Sequence, residues 1–271
     1  MATDGATTSG READTAQAGP LPQASALIMA AGRSDRMGGI DKLFVDLDGQ
    51  PLLAHTLAAF EACAQINHVT VVLALDSAER ALAVLKAARL KKVDATCVGG
   101  EHRQDSVRSG LRAMRACDWV VVHDGARPLV TPLLIDEGIA AAQETGAASA
   151  GVPAVDTLKE VASDNTVLWT IPREHVWAVQ TPQVFRYDLL CSAHEELDLE
   201  ATDDAELVER TGGRVRLYPG SVWNIKVTTP EDLILAEALL RLRRGRRTAP
   251  RKPAAALRPE SRTPRVPRRA G

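Results

Sequence analysis

The run Ala30-Ala31-Gly32, followed by Arg33, Arg36 and Lys42, is suited to holding an anion. Small side chains let backbone N–H groups come close to a ligand, and the cations surround the pliable pair Gly38-Gly39. Four more clusters carry chemistry-bearing residues. Gly99 to Ser106 (GGEHRQDS) runs into a helix start, where unpaired amides and the helix dipole favour an anion or a nucleobase edge. His123-Asp124-Gly125-Ala126-Arg127 sets a carboxylate fit for magnesium or a sugar hydroxyl beside a guanidinium fit for phosphate. Asp156-Thr157, Arg173 and Gln180 to Gln183 make a further group, and in Asn224 to Thr228 one lysine, Lys226, stands between apolar neighbours. Structural duties would also account for some of these: a turn at Gly100, a helix cap at Asp105, Ser106 or Asp124, hairpin polarity around Arg173.

These loops need strands to converge them. Ala26-Leu27-Ile28-Met29 is an uninterrupted apolar run and reads as a buried parallel strand. His68 to Ala74, DATCV before Gly99, and Trp119 to Val122 read as three more. Between them lie helical patterns: one beginning at Pro51 with Leu53, Leu57 and Phe60 on its apolar face, one over Ser77 to Leu90, and one carrying Val107, Leu111 and Met114. Strands alternating with helices predict an α/β fold, a mostly parallel twisted sheet covered by helices on both faces. In such a sheet the carboxyl ends of the strands share one crevice, which would gather the loops. From 152 to 176 apolar positions thin out around Asp164-Asn165, predicting a protruding β-hairpin arm that packs on another subunit or covers a site. Val176 to Val179 returns to the sheet. Helices from about Tyr187, Asp203 and Pro230 follow, with the strand VRLYPG between the last two.

Composition narrows the options. Aromatics make up 3% of 271 residues, too few for a face that stacks single-stranded nucleic acid. From Arg241 onward twelve Lys or Arg oppose one acid, Glu260, although the whole chain carries a net charge of -2. The expected organisation is therefore a tail over 1–22, an acidic body over 23–241 and a basic Pro/Arg-rich tail over 242–271, both tails disordered. No apolar leader or membrane span is expected, and Cys63, Cys97, Cys117 and Cys191 lack paired spacing, so a cytoplasmic protein with reduced cysteines is expected.

Seven segments, AAGRSDRM with Lys42, GGEHRQDSV, VVHDGARP, DTLK, PREHVWAVQTPQ, TDDA and NIKVTTPEDL, occur in an order and spacing that resembles the 2-C-methyl-D-erythritol 4-phosphate cytidylyltransferases. The resemblance runs from about Ser25 to Leu240. It implies a nucleotidyltransferase fold of the glycosyltransferase-A-like, Rossmann-like kind and a homodimer joined through the 152–176 arm. It implies the reaction of CTP with methylerythritol 4-phosphate, giving the CDP-linked alcohol and pyrophosphate in the non-mevalonate isoprenoid pathway, with Mg2+. Ala30, Ala31, Gly32, Gly100, Glu101, Arg103, Ser106 and Gly125 would surround CTP. Asp124, Arg127, Thr157, Arg173 and Thr202 would hold the sugar phosphate, the last three from across the dimer. Arg36, Lys42 and Lys226 would act on the reacting phosphates, and Asp124 would hold the metal.

The chemistry agrees with that residue set. A phosphate monoester has a second pKa near ~6 and is largely dianionic at neutral pH, so the nucleophile needs no general base. The task is to bring it onto a polyanion, which calls for cations and a metal and not for a catalytic His or Cys. Three departures from the family pattern stand out: Ser34 where a second glycine is common, Gly125 for an alanine, and Trp223 before Asn224 where many relatives have an aspartate. The nearest rival is a ribitol 5-phosphate cytidylyltransferase, against which Arg173 to Trp177 speaks. Molybdopterin nucleotidyltransferases lack the HDGARP and QTPQ segments. A non-catalytic nucleotide-binding regulator with a nucleic-acid-binding tail would leave the reactive-site cations unexplained. A dinucleotide-binding oxidoreductase would need a GxGxxG loop. No nucleic-acid or membrane partner is expected.

Overall fold

A computed structural model describes residues 23–32, 37, 41–196 and 201–248. Arg33, Arg36 and the expected tails, apart from 242–248, lie outside the described residues. The elements run β1 (Ala24–Ala30), β2 (Asp46–Leu47), β3 (Gln50–Pro51), α1 (Leu52–Ala62), β4 (Ile66–Leu73), α2 (Ala78–Ala88), β5 (Val93–Val98), α3 (Arg103–Ala113) and β6 (Trp119–Asp124). They continue with α4 (Pro132–Thr145), β7 (Gly146–Pro153), β8 (Leu158–Val161), β9 (Val167–Ile171), β10 (Trp177–Arg186), α5 (Tyr187–Glu196), α6 (Asp204–Arg210), β11 (Arg214–Pro219) and α7 (Pro230–Thr248).

Seven strands form one sheet in the order β11-β7-β10-β6-β1-β4-β5. All neighbours pair in parallel except β10, which runs antiparallel to both β6 and β7. The expected α/β class and mostly parallel sheet are therefore present. β1, an interior strand between β6 and β4, has apolar neighbours on both faces: Ala26 and Ile28 join the core under α1, α2, α4 and α7, while Leu27 joins the core under α3 and α5. Burial on both faces is why this strand reads as a continuous apolar run instead of an alternation.

Three features differ from the sequence reading. The stretch after Pro128 holds a full helix, α4, capped by the Thr131 hydroxyl on the Leu134 amide with Pro132 in its first turn and Gly146 closing it at φ +86°. β10 is longer than the expected Val176–Val179 return, and a register shift between Val179 and Gln183 interrupts its pairing with β7. α7 carries on to Thr248 and so takes in 242–248, which the sequence reading assigned to the tail.

The arm is the expected hairpin. β8 and β9 form their own two-stranded sheet, with Asn165 at φ +65° at the tip and the Asp164 carboxylate accepting from the Thr166 amide. Val161, Val167, Leu168 and Trp169 remain exposed along it.

Candidate active site

Three strand ends and one loop bring the site together. β1 delivers Ala30-Ala31-Gly32, β5 delivers Gly99-Gly100, β6 delivers Asp124, and the loop before α7 delivers Lys226. A cavity of about 280 Å3 is lined by Ala30, Ala31, Gly32, Lys42, Gly100, Glu101, Arg103, Ser106, Asp124 and Lys226, together with Met29, Leu43, His102 and Ala126. A second cavity, of about 210 Å3, shares Arg103, Asp124 and Lys226 with the first and adds Arg127, Thr202, Asp203, Gln180, Thr181 and Gln183. The shared wall is thus one carboxylate and two cations. A wider recess of about 590 Å3 between α3 and α5 contains none of the residues expected from sequence.

Local structure explains the placement of each group. Lys42 opens a short 3-10 turn capped by the Asp41 carboxylate on the Leu43 amide, and it is only 8% exposed although it is a lysine. At the start of α3, Asp105 accepts from the His102 amide in a capping box, so its duty is structural. Ser106 accepts from the Gly100 amide at 3.1 Å and folds the glycine loop back on the helix. A Cβ on Gly99 would lie 2.5 Å from Ala31 Cβ, so the two loops can touch only because this position is glycine. Gly125 itself sits behind the wall: its amide donates to Met29 O at 2.9 Å and its carbonyl accepts from the Thr56 hydroxyl.

Asp124 is the electrostatic centre. Its Oδ2 lies 3.1 Å from Lys226 Nζ and 3.3 Å from Arg127 Nε. Burial alone would raise its carboxyl, but Lys226, Arg103 and Arg127 more than reverse this and hold it well below the usual carboxylate range. The Asp124 amide donates to the Thr181 hydroxyl, 3.0 Å from His123 Nδ1, and His123 Nε2 lies 3.4 Å from the Arg127 carbonyl. These contacts suit a neutral ring that accepts at Nδ1 and donates at Nε2. Burial pushes His123 down to about 3, which keeps it neutral.

Lys226 is fixed from the sheet side. Asn224 Nδ2 donates to the Thr181 carbonyl and Gln180 Oε1, Gln180 Nε2 donates to the Ser221 carbonyl, and the Val227 amide donates to Ala126 O. Arg127 closes the ring by donating to the Asn224 carbonyl at 2.8 Å. Gln180 and Asn224 belong to segments legible in the sequence, but their positioning duty was not, because it arises from the break in β10.

Two further residues were not foreseen. Arg103 forms a 2.6 Å ion pair with Asp204, which is fully buried and also takes a 3.0 Å hydrogen bond from His194 Nε2. Asp204 follows Asp203, the α6 cap, and two adjacent acids at a helix start read as caps; His194 lies inside α5 with no local signal. Thr202 lines the second cavity, its hydroxyl donating to Glu206. Thr157 and Arg173 are exposed on the arm and line neither cavity, the Arg173 guanidinium being bonded to the Val155 carbonyl. Arg36 lies outside the described residues. Among the described residues no three His, Cys, Asp or Glu side chains gather as a metal cage, and no helix is long and apolar enough to cross a membrane.

The family model described as 2-C-methyl-D-erythritol 4-phosphate cytidylyltransferase matches residues 24–242. A curated protein of that name from Dehalococcoides mccartyi is 49% identical over 216 residues, spanning 80% of this chain and 95% of the relative. Among solved structures, the enzyme of that name from Thermus thermophilus is 37% identical with a TM-score of 0.67, over 80% of this chain and 98% of the other. The 4-diphosphocytidyl-2C-methyl-D-erythritol synthase from Anaerococcus prevotii is 28% identical with a TM-score of 0.72, over 81% and 96%.

Proposed function

The chain belongs to the 2-C-methyl-D-erythritol 4-phosphate cytidylyltransferase family, and on that premise we propose how its own residues perform the reaction. It is a nucleotidyltransferase that moves the cytidylyl group of CTP onto 2-C-methyl-D-erythritol 4-phosphate in the non-mevalonate isoprenoid pathway and releases pyrophosphate. CTP occupies the cavity bordered by Ala30 to Gly32 and Gly100 to Ser106, and the sugar phosphate occupies the cavity bordered by Arg127 and Thr202. The observation that carries this reading is the wall shared by the two cavities, Arg103, Asp124 and Lys226.

A dianionic acceptor oxygen attacks the α-phosphorus in line. As that bond forms, the bond from phosphorus to the oxygen bridging the β-phosphate breaks, and pyrophosphate leaves with its electron pair. No proton need be removed at the start. Lys42 and Lys226 stabilise the charge that builds on the equatorial and leaving oxygens, in a recess where such interactions exceed their worth in water. Arg36, which lies outside the described residues, joins them in this reading. Arg127 orients the acceptor, and the carboxylate of Asp124 takes its hydroxyls.

Magnesium fits this site with Asp124 as its protein ligand. Both ion pairs of that carboxylate use Oδ2, which leaves Oδ1 for a cation, and triphosphate and water oxygens would complete a shell of the kind magnesium prefers. When bound, the ion neutralises triphosphate charge. The working form is a homodimer, in which the arm of a second copy brings Thr157 and Arg173 to the acceptor. Supporting this are the exposed apolar side chains of the arm and the absence of both residues from the linings of their own chain's two cavities.

Pyrophosphate release measured with each of the four nucleoside triphosphates, with methylerythritol 4-phosphate, with ribitol 5-phosphate and with neither, tests the reading. Release is expected with CTP and methylerythritol 4-phosphate together. Equal release with ribitol 5-phosphate, or none with any pair, overturns it.

A further inference from the structure

Arg103 borders both cavities and is attracted by the Asp124 and Asp203 carboxylates on their walls, but its ion pair is made outside them. Its guanidinium is anchored from behind, by the ion pair at 2.6 Å with Asp204 in the first turn of α6. Asp204 has no exposed surface, and burial alone would favour its neutral form; Arg103 and His194 more than reverse this and keep the carboxyl ionised. His194, 3% exposed, contributes a 3.0 Å bond from Nε2 to the other carboxylate oxygen. A buried charge survives only with partners on its oxygens, and here both oxygens are used.

We propose that Asp204, braced by His194, is a positioning residue that sets the Arg103 guanidinium between the nucleotide and the acceptor. This rests on the reading that Arg103 contacts CTP. Asp204 touches no substrate; it fixes where the positive charge of Arg103 points. Without the carboxylate, the arginine would swing on a flexible stem and meet the triphosphate in many geometries, a loss of pre-organisation of the kind that costs about 10²-fold when a reacting group is misplaced by about an ångström. The same residue ties α6 to α3, because Thr202 and Asp203, immediately before it, line the acceptor cavity. The position of the acceptor-side loop and that of the nucleotide-side arginine are therefore mechanically one.

A double-mutant cycle on the full chain separates positioning from general support. Arg103→Ala alone is expected to lower kcat/KM for CTP by about 10²-fold, and Asp204→Asn alone by about 10- to 100-fold. The double variant is expected to be no worse than Arg103→Ala, because Asp204 acts only through that arginine. Asp204→Glu, which keeps the charge, is expected to recover part of the loss. Losses that multiply in the double variant, or an Asp204→Asn enzyme within twofold of wild type while Arg103→Ala is crippled, overturn the proposal and leave the site reading intact. An Arg103→Ala enzyme of normal kcat/KM overturns both. Should Asp204→Asn fail to fold, the cycle is run with His194→Asn, which removes the Nε2 brace; non-additive losses with Arg103→Ala support the proposal and multiplicative losses overturn it.

Discussion

Lys226 Nζ and Asp124 Oδ2 meet at 3.1 Å, although one residue precedes α7 and the other ends β6. The contact stretches a lysine, still 43% exposed along its side chain, across the wall between two cavities. Lys42 reaches the nucleotide-side cavity from the opposite part of the chain, out of a buried turn. Two cations delivered by separate loops onto one recess suit a reaction whose difficulty is the approach of two anions.

Replacement of either lysine should therefore damage the chemical step more than binding. Lys42→Ala and Lys226→Ala are each expected to lower kcat by roughly 10²-fold or more, as removal of a transition-state donor does. Steady-state kinetics with both substrates saturating provides the check. Near wild-type turnover in both variants would remove these residues from the mechanism.

The arm predicts activity in trans. If the proposed homodimer forms through the arm, Leu168→Glu with Trp169→Glu should leave the protein monomeric where wild type is dimeric, observed by light scattering on a sizing column, since charges would replace exposed apolar side chains. If Arg173 serves the neighbouring site, mixing the inactive variants Lys42→Ala and Arg173→Ala should restore up to about a quarter of wild-type activity, because in a two-fold dimer one site of each mixed pair is intact. No recovery after the subunits have been exchanged would confine Arg173 to its own chain.

Much of this was legible in the sequence because it is local. Ala30 to Gly32 follow a run apolar on both faces, Gly99-Gly100 precede a helix start, and Asp124 ends another apolar run. The antiparallel direction of β10 was not legible, since an apolar strand looks the same in either sense. α4 escaped notice despite its Thr131-Pro132 start, its Gly146 stop and the spacing of Ile135, Ile139 and Ala142. Asp204 and His194 were hidden for a different reason: their meaning lies in Arg103, 101 positions from Asp204. Gly125 illustrates the converse, a residue in a legible motif whose backbone supports the wall without lining it.

Acidification should weaken the fold through His123. Burial lowers this ring from 6.5 to about 3, so between those values the unfolded chain binds a proton that the folded chain refuses. Stability then falls as pH falls, by about 1.4 kcal/mol per pH unit for this one group. The Asp124 carboxyl, held below its unfolded value, contributes stability that is present above the unfolded pKa and is lost only at lower pH, as the pH falls toward the folded value. The His123 effect therefore comes first. Denaturant unfolding of wild type and His123→Gln from neutral pH to about pH 5 should show a shallower pH slope in the variant, by about one proton. Identical slopes would mean that the ring titrates normally in the folded chain.

Two glycines at the site should respond unequally to the same substitution. A Cβ at Gly99 would lie 2.5 Å from Ala31 Cβ and 2.6 Å from Ser106 Oγ. Ala31 has no rotamer with which to retreat, so the backbone of the nucleotide-side loop must move, and Ser106 would lose its grip on the Gly100 amide. Gly99→Ala should therefore destabilise the protein by about 1–3 kcal/mol, as overpacking does, and raise KM for CTP. A Cβ at Gly125 meets Met29 O at 3.1 Å and Leu53 Cδ1 at 3.3 Å, contacts that a shift of a few tenths of an ångström relieves. Gly125→Ala should cost less than about 1 kcal/mol and leave KM for CTP within twofold, since the leucine can give way and Gly125 lies behind the wall. Thermal unfolding and CTP titration of the two variants decide the matter. Equal effects at both positions would mean that the contact between the Ala31 and Gly99 loops does not shape the nucleotide cavity.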